Sequence, residues 1–386
     1  VSAAEFDIVV IGAGMAGASV AAHLSDGRRV LVLEREGQPG YHSTGRSAAL
    51  FSEIYGGEPV RALSRASRDL LYAPPPGIVD APLVRTRCAM HIAREDQRAK
   101  LEAFAALPDV ACGAHLISSA EAIALCPILK PEHAVAAALE PNAADVDVHG
   151  LHQGYLKLLR ERGGVLLTDR DVQTLAYDGG RWRVRAGDED FSAPILVNAA
   201  GAWADEIARL AGVSPLGLQP MRRTALLVDA PEGAVIEDWP MVIDADEQFY
   251  FKPDAGLLLL SPADETPMDP CDVQPDEWDV AVAIDRVEAA TTLKVRRVKH
   301  KWAGLRSFVP DRAPVAGYDP DTPGFFWLAG QGGYGIQTAP ALSRTAAALI
   351  LGQPIPADIA VHGVVAADLS PARLRPPAEI AREAHG

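Results

Sequence analysis

The chain has 386 residues, 48% of them hydrophobic, and its 51 Asp and Glu outweigh 36 Lys and Arg to give a net charge of −15. That length exceeds one ordinary core and implies two intertwined domains. The acidic balance argues against nucleic acid or an anionic membrane surface as partner. No apolar run reaches the roughly 18 residues of a membrane span. Cys88, Cys112, Cys126 and Cys271 lack C-x-x-C spacing, so they are read as reduced structural thiols. The first residues lack the basic and apolar regions of a leader, and a cytoplasmic protein is the expectation.

Residues 6–34 organise the rest. The apolar run 8–11 is the pattern of a strand buried on both faces of a parallel sheet. Gly12, Gly14 and Gly17 follow in G-x-G-x-x-G spacing, then a helix-forming run at 18–24 and a second aliphatic run at 30–33 that ends at Glu34. Gly12 permits the tight turn, Gly14 lets backbone approach a pyrophosphate, and Gly17 lets helix pack on strand. The helix N-terminus offers free N–H groups and its positive dipole end to phosphate. Glu34, 22 residues after Gly12, is placed to accept from ribose hydroxyls. Strand, glycine turn, helix and acid together indicate dinucleotide binding.

Segment 35–49 is polar and glycine-rich, and reads as a binding loop with a helix starting at Thr44 or Ser47. A solvated surface loop would have the same composition. Residues 50–57 form a further loop carrying Tyr55, and helical spacing resumes at 60–71. The break APPPG at 73–77 is read as the crossing into a second domain. Beyond it the expected elements are a strand at 83–93, a helix at 95–107, a helix at 118–126 capped by Ser118 or Ser119, and a strand at 134–139. A helix is expected from Asp145 to about Arg162 with acids in its first turn. Then come a strand at 165–167, a hairpin (172–177 and 181–186), and a buried strand ending in VNAAGAW at 197–203. The small residues there leave room for a ligand, or serve a tight turn. From 216 to 301 strands dominate (223–228, 248–252, 257–261, 294–302), interrupted by a helix at 275–291. The whole suits an antiparallel sheet with one face free to cover a ligand. A second strand, glycine loop and helix (325–330, 331–335, 336–351) return to the nucleotide domain. The tail 370–386 is expected to fray.

These pieces resemble the FAD-dependent amine oxidoreductases of the D-amino-acid oxidase and glycine oxidase superfamily, and within it most of all the bacterial D-arginine dehydrogenases. The likeness rests on the glycine fingerprint, LEREGQPGYHSTGRSAA (33–49), LHQGYL (151–156), VNAAGAW (197–203), LGLQPMRR (216–223), FYFKPDAG (249–256), EAATTL (288–293), WAGLRSF (302–308) and GGYGIQT (332–338). It covers nearly the whole chain. It implies an α/β fold: a Rossmann-type FAD-binding domain of glutathione-reductase type (1–75, 145–215, 310–386) and an α+β substrate domain on an antiparallel sheet (76–144, 216–309).

The resemblance also implies non-covalent FAD held by Gly12, Gly14, Met15, Ala16, Gly17, Glu34, Arg35, Ser43, Thr44, Arg46, Ser47, Ala48, Ala200, Gly201, Trp203, Gly332, Gly333, Tyr334, Gly335, Ile336 and Gln337. Arg223, Tyr250 and Arg306 would grip a substrate carboxylate, as the planar arginine fork does well. Without the resemblance these could be surface ion pairs and a core aromatic. Tyr55 would close over the substrate on a mobile loop, and the Gly333 carbonyl would accept from its amine. The side-chain pocket would comprise Leu50, Ser52, Glu53 and Ala89. Where the arginine enzymes carry a histidine and a glutamate, this chain has Leu50 and Ala89, so neutral or apolar side chains are expected over D-arginine unless Glu53 supplies an anion.

The expected reaction is oxidation of a D-amino acid by hydride transfer to flavin N5, giving a 2-oxo acid and ammonia, with an unidentified electron acceptor. No metal, nucleic acid or membrane span is expected, and a monomer is the working expectation. Alternatives are a sarcosine- or glycine-type amine oxidase, an L-2-hydroxy acid dehydrogenase, or a flavoprotein-fold binding component without turnover.

Overall fold

The computed structural model describes residues 3–75, 77–79 and 81–375. Its first sheet has six strands in the order 165–167, 30–33, 8–11, 195–198, 325–329, 315–318, all parallel except the last pair. The uninterrupted apolar runs follow from burial on both faces. Ile8, Val10, Val30, Val32, Phe326 and Leu328 face the helices Met15–Leu24, Val148–Glu161 and Ala339–Ile350. Val9, Ile11, Leu31, Leu33, Phe325 and Trp327 face Trp182, Phe191 and the helix Ala204–Leu210. The expected hairpin forms as Val172–Asp178 with Arg181–Ala186, and gains Glu189–Ala193 and Ala4–Glu5 as third and fourth strands.

The second large sheet has nine strands and mixed orientation, built on Gln219–Asp229 paired with Val298–Phe308. One face packs on the helices Ser119–Leu125 and Glu277–Ala290 through Met90, Ile92, Leu226, Phe251, Leu260, Val280 and Val287. The other face turns toward the first sheet. Every strand of the six-stranded sheet falls within 1–75, 145–215 or 310–386, and every strand of the nine-stranded sheet within 76–144 or 216–309. A three-stranded sheet, Leu50–Phe51, Ala144–Val146 and Val84–Thr86, joins the two.

Several expectations are corrected. No helix starts at Thr44 or Ser47: residues 39–46 are turns, and Leu50–Phe51 is a short strand. The polar groups there bond to distant backbone instead of capping a helix: Ser43 Oγ donates to Leu305 O (2.6 Å), and Arg46 to Val273 O (3.0 Å) and Ala303 O (3.2 Å). The run 83–93 is two strands, Val84–Thr86 and Ala89–Ala93, parted at Cys88 (φ 70°) where the chain changes sheets. The stretch 95–107 holds a 3-10 turn and the helix Arg98–Ala105. Asp145 lies in a strand, where it pairs with Arg87 and Lys252, and the helix begins after its N-cap Asp147. Residues 370–375 are anchored, Arg375 meeting Asp319 at 2.7 Å, and 376–386 lie outside the described residues.

Candidate functional site

At the carboxyl end of Ile8–Ile11 the chain turns through Gly12 at φ 97°, a conformation that L side chains rarely adopt. A Cβ on Gly12 would also lie 2.6 Å from Ala199 O, and one on Gly17 would run into Gly12 O. The helix Met15–Leu24 thus rests directly on the turn, as the third glycine of the fingerprint requires. Glu34 is buried at the end of the next strand, its two oxygens accepting from Ala13 N (2.8 Å) and Glu36 N (3.0 Å). His152 Nε2 donates to Ala13 O (2.9 Å), and Met15 N donates to Thr44 Oγ1 (3.0 Å). Each bond fixes the turn from outside it.

A cavity of about 490 Å³ opens at these strand ends, where open α/β sheets bind ligands. Its walls include Gly12, Gly14, Met15, Ala16, Glu34, Arg35, Ser43, Thr44, Arg46, Ser47, Ala48, Ala200, Gly201 and Trp203. From the last glycine loop come Gly332, Gly333, Gly335 and Ile336, and from the nine-stranded sheet Arg223, Tyr250 and Arg306. His42 Nδ1 and Gln331 Nε2 are buried without partners, and both residues line this cavity. The His42 ring lies 4.6 Å from that of Trp203, with the Arg35 guanidinium 5.0 Å over the indole. Unpaired buried polar atoms, a glycine cradle and a carboxylate at the strand end fit an extended polar dinucleotide.

The opposite wall comes from sheet register. Arg223 pairs across with Gly304, Met221 with Arg306, and Tyr250 with Ser261, so Arg223, Tyr250 and Arg306 stand on one face. Gly304 puts no side chain between the two arginines. Arg306 Nη1 donates to Tyr55 Oη at 3.4 Å, and no carboxylate among the described residues pairs with it. A Cβ on Gly333 would sit 2.8 Å from that same Nη1, so the last glycine loop and the guanidinium meet only because residue 333 is glycine. Burial opposes ionisation of Tyr250, but the Arg306 and Arg223 charges outweigh it and hold the phenol below its ordinary pKa. Arg223 is buried and already engaged: Nε donates to Asp264 O (2.8 Å), and Nη2 meets Glu265 Oε1 (3.3 Å).

Other sequence-selected residues stand outside the cavity wall. Leu50 packs with Ala48 in the apolar cluster of Ala225, Met241, Tyr250, Leu259 and Ile243. Ala89 is fully buried between Met241 and Glu140. Ser52 Oγ donates to Glu140 Oε2 (2.7 Å), and Glu53 pairs with Arg68 (2.9 Å). Gln337 bonds Ser52 N, Ser52 O and Ser64 Oγ (3.2, 3.1 and 2.7 Å), and the Tyr334 ring lies 5.0 Å from that of Tyr55. Gln337 and Tyr334 therefore tie the Tyr55 loop to the last glycine loop.

Sequence reasoning missed Glu140, Met241, Ile243 and Glu265. Glu140 clasps the Tyr55 loop, accepting from Ser52 Oγ and Glu53 N (2.8 Å), and burial pushes its carboxyl up to about 7. An isolated acid ending a short apolar strand was its one visible signal. Met241–Asp244 is a four-residue strand in a stretch rich in turn-formers, and Glu265 follows Asp264 in a loop.

Fold and cavity together define a dinucleotide-binding protein whose cavity is closed by the facing sheet. The family model for the DAO FAD-dependent oxidoreductases matches residues 7–349, and the chain belongs to that family, with FAD as cofactor. The uncharacterized oxidoreductase YurR of Bacillus subtilis is 24% identical over 380 residues, covering 92% of this chain and 97% of its own. FAD-dependent oxidoreductase domain-containing protein 1 of Bos taurus is 32% identical over 176 residues, 41% of this chain; that match spans only 35% of the bovine protein's length. Among solved structures, L-proline dehydrogenase from P. horikoshii superposes with a TM-score of 0.82 at 22% identity, covering 96% of this chain and 98% of that one. Glycine oxidase from Geobacillus kaustophilus gives 0.80 at 21% identity, covering 94% and 99%. Among the described residues no helix is long and apolar enough to cross a membrane.

Proposed function

We propose that this protein oxidises the Cα–N bond of D-amino acids with neutral or apolar side chains. The observation that carries the reading is Arg306: a guanidinium in the cavity wall, without an acid partner among the described residues, pressed against Gly333 and beside Tyr55 and Tyr250. A half-buried cation in a cavity wall calls for an anion, and a planar fork suits a carboxylate. FAD, when bound, supplies the two-electron oxidant.

The chain's own residues anchor and orient the substrate. Arg306 holds the carboxylate, with Tyr250 and the remaining N–H groups of Arg223 adding to it, and the Gly333 carbonyl fixes the amine. Tyr55, on the loop held by Glu140 and Gln337, covers the substrate and excludes water. Holding Cα in one orientation is the protein's main contribution to rate. The imino acid product then hydrolyses in water to a 2-oxo acid and ammonia. Leu50, Met241, Ile243 and Leu259 pack around Tyr250 and back the clamp with apolar surface. The FAD-binding part would comprise 1–75, 145–215 and 310–386, and the substrate part 76–144 and 216–309, as the division of strands between the two large sheets supports.

The test is anaerobic mixing of holoenzyme with D-leucine, D-methionine, D-phenylalanine, D-arginine, sarcosine and L-lactate. The reading expects flavin bleaching and the highest kcat/KM with the first three. A tenfold preference for D-arginine would sink the side-chain assignment. A second reading, oxidation of a secondary amine, is supported by similarity to mitochondrial sarcosine dehydrogenase of Mus musculus, 26% identical over 231 residues. Bleaching by sarcosine alone would favour it.

A further inference from the structure

Arg223 and Arg306 stand side by side on the sheet face, yet their surroundings differ. Arg306 has no carboxylate partner among the described residues, while Arg223 meets Glu265 at 3.3 Å. Glu265 is in turn held by Arg312 through both oxygens, at 2.7 and 3.1 Å. Arg312 is a non-glycine residue at φ 62°, and its guanidinium lies 3.8 Å over the Phe308 ring. A left-handed backbone at a long side chain is uncommon and points to a position held for its contacts. Burial works against ionisation of Glu265, but Arg312 and Arg223 overcome it, and the group stays a carboxylate.

The location gives this pairing a consequence. Arg223 belongs to the walls of two cavities: the one described above and a second of about 450 Å³ that also contains His91, Phe104, Glu247, Glu265 and Arg312. A substrate anchored on Arg306 with its side chain directed past Arg223 would meet this second space. Glu265 is shared between Arg223 and Arg312, and Lys100 pairs with Asp246 (2.6 Å). Glu247 adds a further negative charge.

We propose that Glu265 restricts the site to substrates with a single carboxylate, by engaging Arg223 and so keeping it from serving as an anchor for a second carboxylate. The proposal rests on Arg306 being the carboxylate anchor. Neutralising Glu265 would free Arg223 as a second anchor.

The experiment titrates FAD-loaded wild type and Glu265→Gln with 4-methylpentanoate, a monocarboxylate, and glutarate, a dicarboxylate, following the flavin absorption spectrum. Wild type is expected to bind 4-methylpentanoate at least tenfold more tightly than glutarate. Glu265→Gln should shift that ratio toward glutarate by at least tenfold, and Glu265→Ala should shift it the same way. A ratio that moves less than twofold in both variants overturns the proposal, as does a wild type that binds neither ligand. Arg306→Ala separates the underlying reading from the proposal. If that variant binds 4-methylpentanoate as wild type does, the anchor itself is wrong and the proposal falls with it. If it loses the ligand while the Glu265 variants leave the ratio unmoved, only the proposal falls.

Discussion

The two walls of the cavity are made differently. The centre of the cofactor wall is local backbone: one strand, a glycine turn and one helix, with close contacts set by what is missing from Gly12 and Gly17. The facing wall, the proposed substrate side, is side chains carried by register: Arg223, Tyr250 and Arg306 come from three strands and converge because the pairs Arg223 with Gly304 and Tyr250 with Ser261 place them on one face. At Gly12 and Gly17 the first wall tolerates little substitution, because a Cβ there would run into backbone. The second can be retuned residue by residue without disturbing the sheet, which is how one fold serves many substrates.

The largest effect should come from the backbone wall. Gly17→Val would drive a branched side chain into Gly12 O, and the protein should lose about 3 kcal/mol or more of stability and purify without flavin absorbance. Gly14→Val should also be colourless yet keep its fold, since a Cβ there meets only the hydroxyl of Thr44, at 3.3 Å. Normal flavin occupancy in Gly17→Val would break the contrast between the walls. On the other wall, Arg306→Ala should leave the protein yellow and folded while kcat/KM falls at least tens-fold. The loss should be about 2–5 kcal/mol, by analogy with truncated buried charge pairs. Arg306→Lys should recover only part, because a point charge cannot reproduce the fork. Turnover near wild type in Arg306→Ala would remove that residue from the site.

Glu140 sharpens the comparison through pH. Burial raises its folded pKa to about 7, so its stability contribution is fully present below the unfolded carboxylate range and is lost as pH rises through 7. The buried His23 and His91, both pushed down to about 4 by burial, act oppositely: their contribution is lost as pH falls through the acid range. The difference between Glu140→Gln and wild type isolates the carboxyl. The Tm of the variant minus that of wild type should become more positive from pH 5 to pH 7.5 (a window set by the shifted and ordinary carboxylate values, roughly). A flat difference would mean that Glu140 is ionised across the whole range. The smallest effect is expected at Glu53. Its ion pair with Arg68 holds it away from the pocket, so Glu53→Gln should change the ratio of kcat/KM for D-leucine over D-arginine by less than about threefold, under ~0.7 kcal/mol.

This asymmetry also explains what was legible in the sequence. The glycine fingerprint, Glu34 and the two-sided strands could be read directly, because each is a short contiguous pattern with one physical solution. The arginines and tyrosines needed a family resemblance, since nothing local marks Arg223 as facing Arg306 across 83 positions of chain. The helix expected at Thr44 fails because that segment's hydroxyls and guanidinium bond across the molecule. Capping signals cannot distinguish local from distant partners. Glu53 and Glu265 exchange roles for a similar reason. Sequence adjacency to Tyr55 suggested the first as a pocket anion, while the second reaches Arg223 only once the nine-stranded sheet has formed.

The central claim is that a carboxylate held by Arg306 positions an amino acid for oxidation. The most direct measurement compares the anaerobic rate of flavin bleaching, near ~450 nm, by D-leucine and by D-leucinamide, which keeps the amine and side chain but lacks the carboxylate. The account predicts saturable bleaching by D-leucine and a rate at least tens-fold lower with the amide. Equal rates with both compounds, or no bleaching by D-leucine, would contradict it.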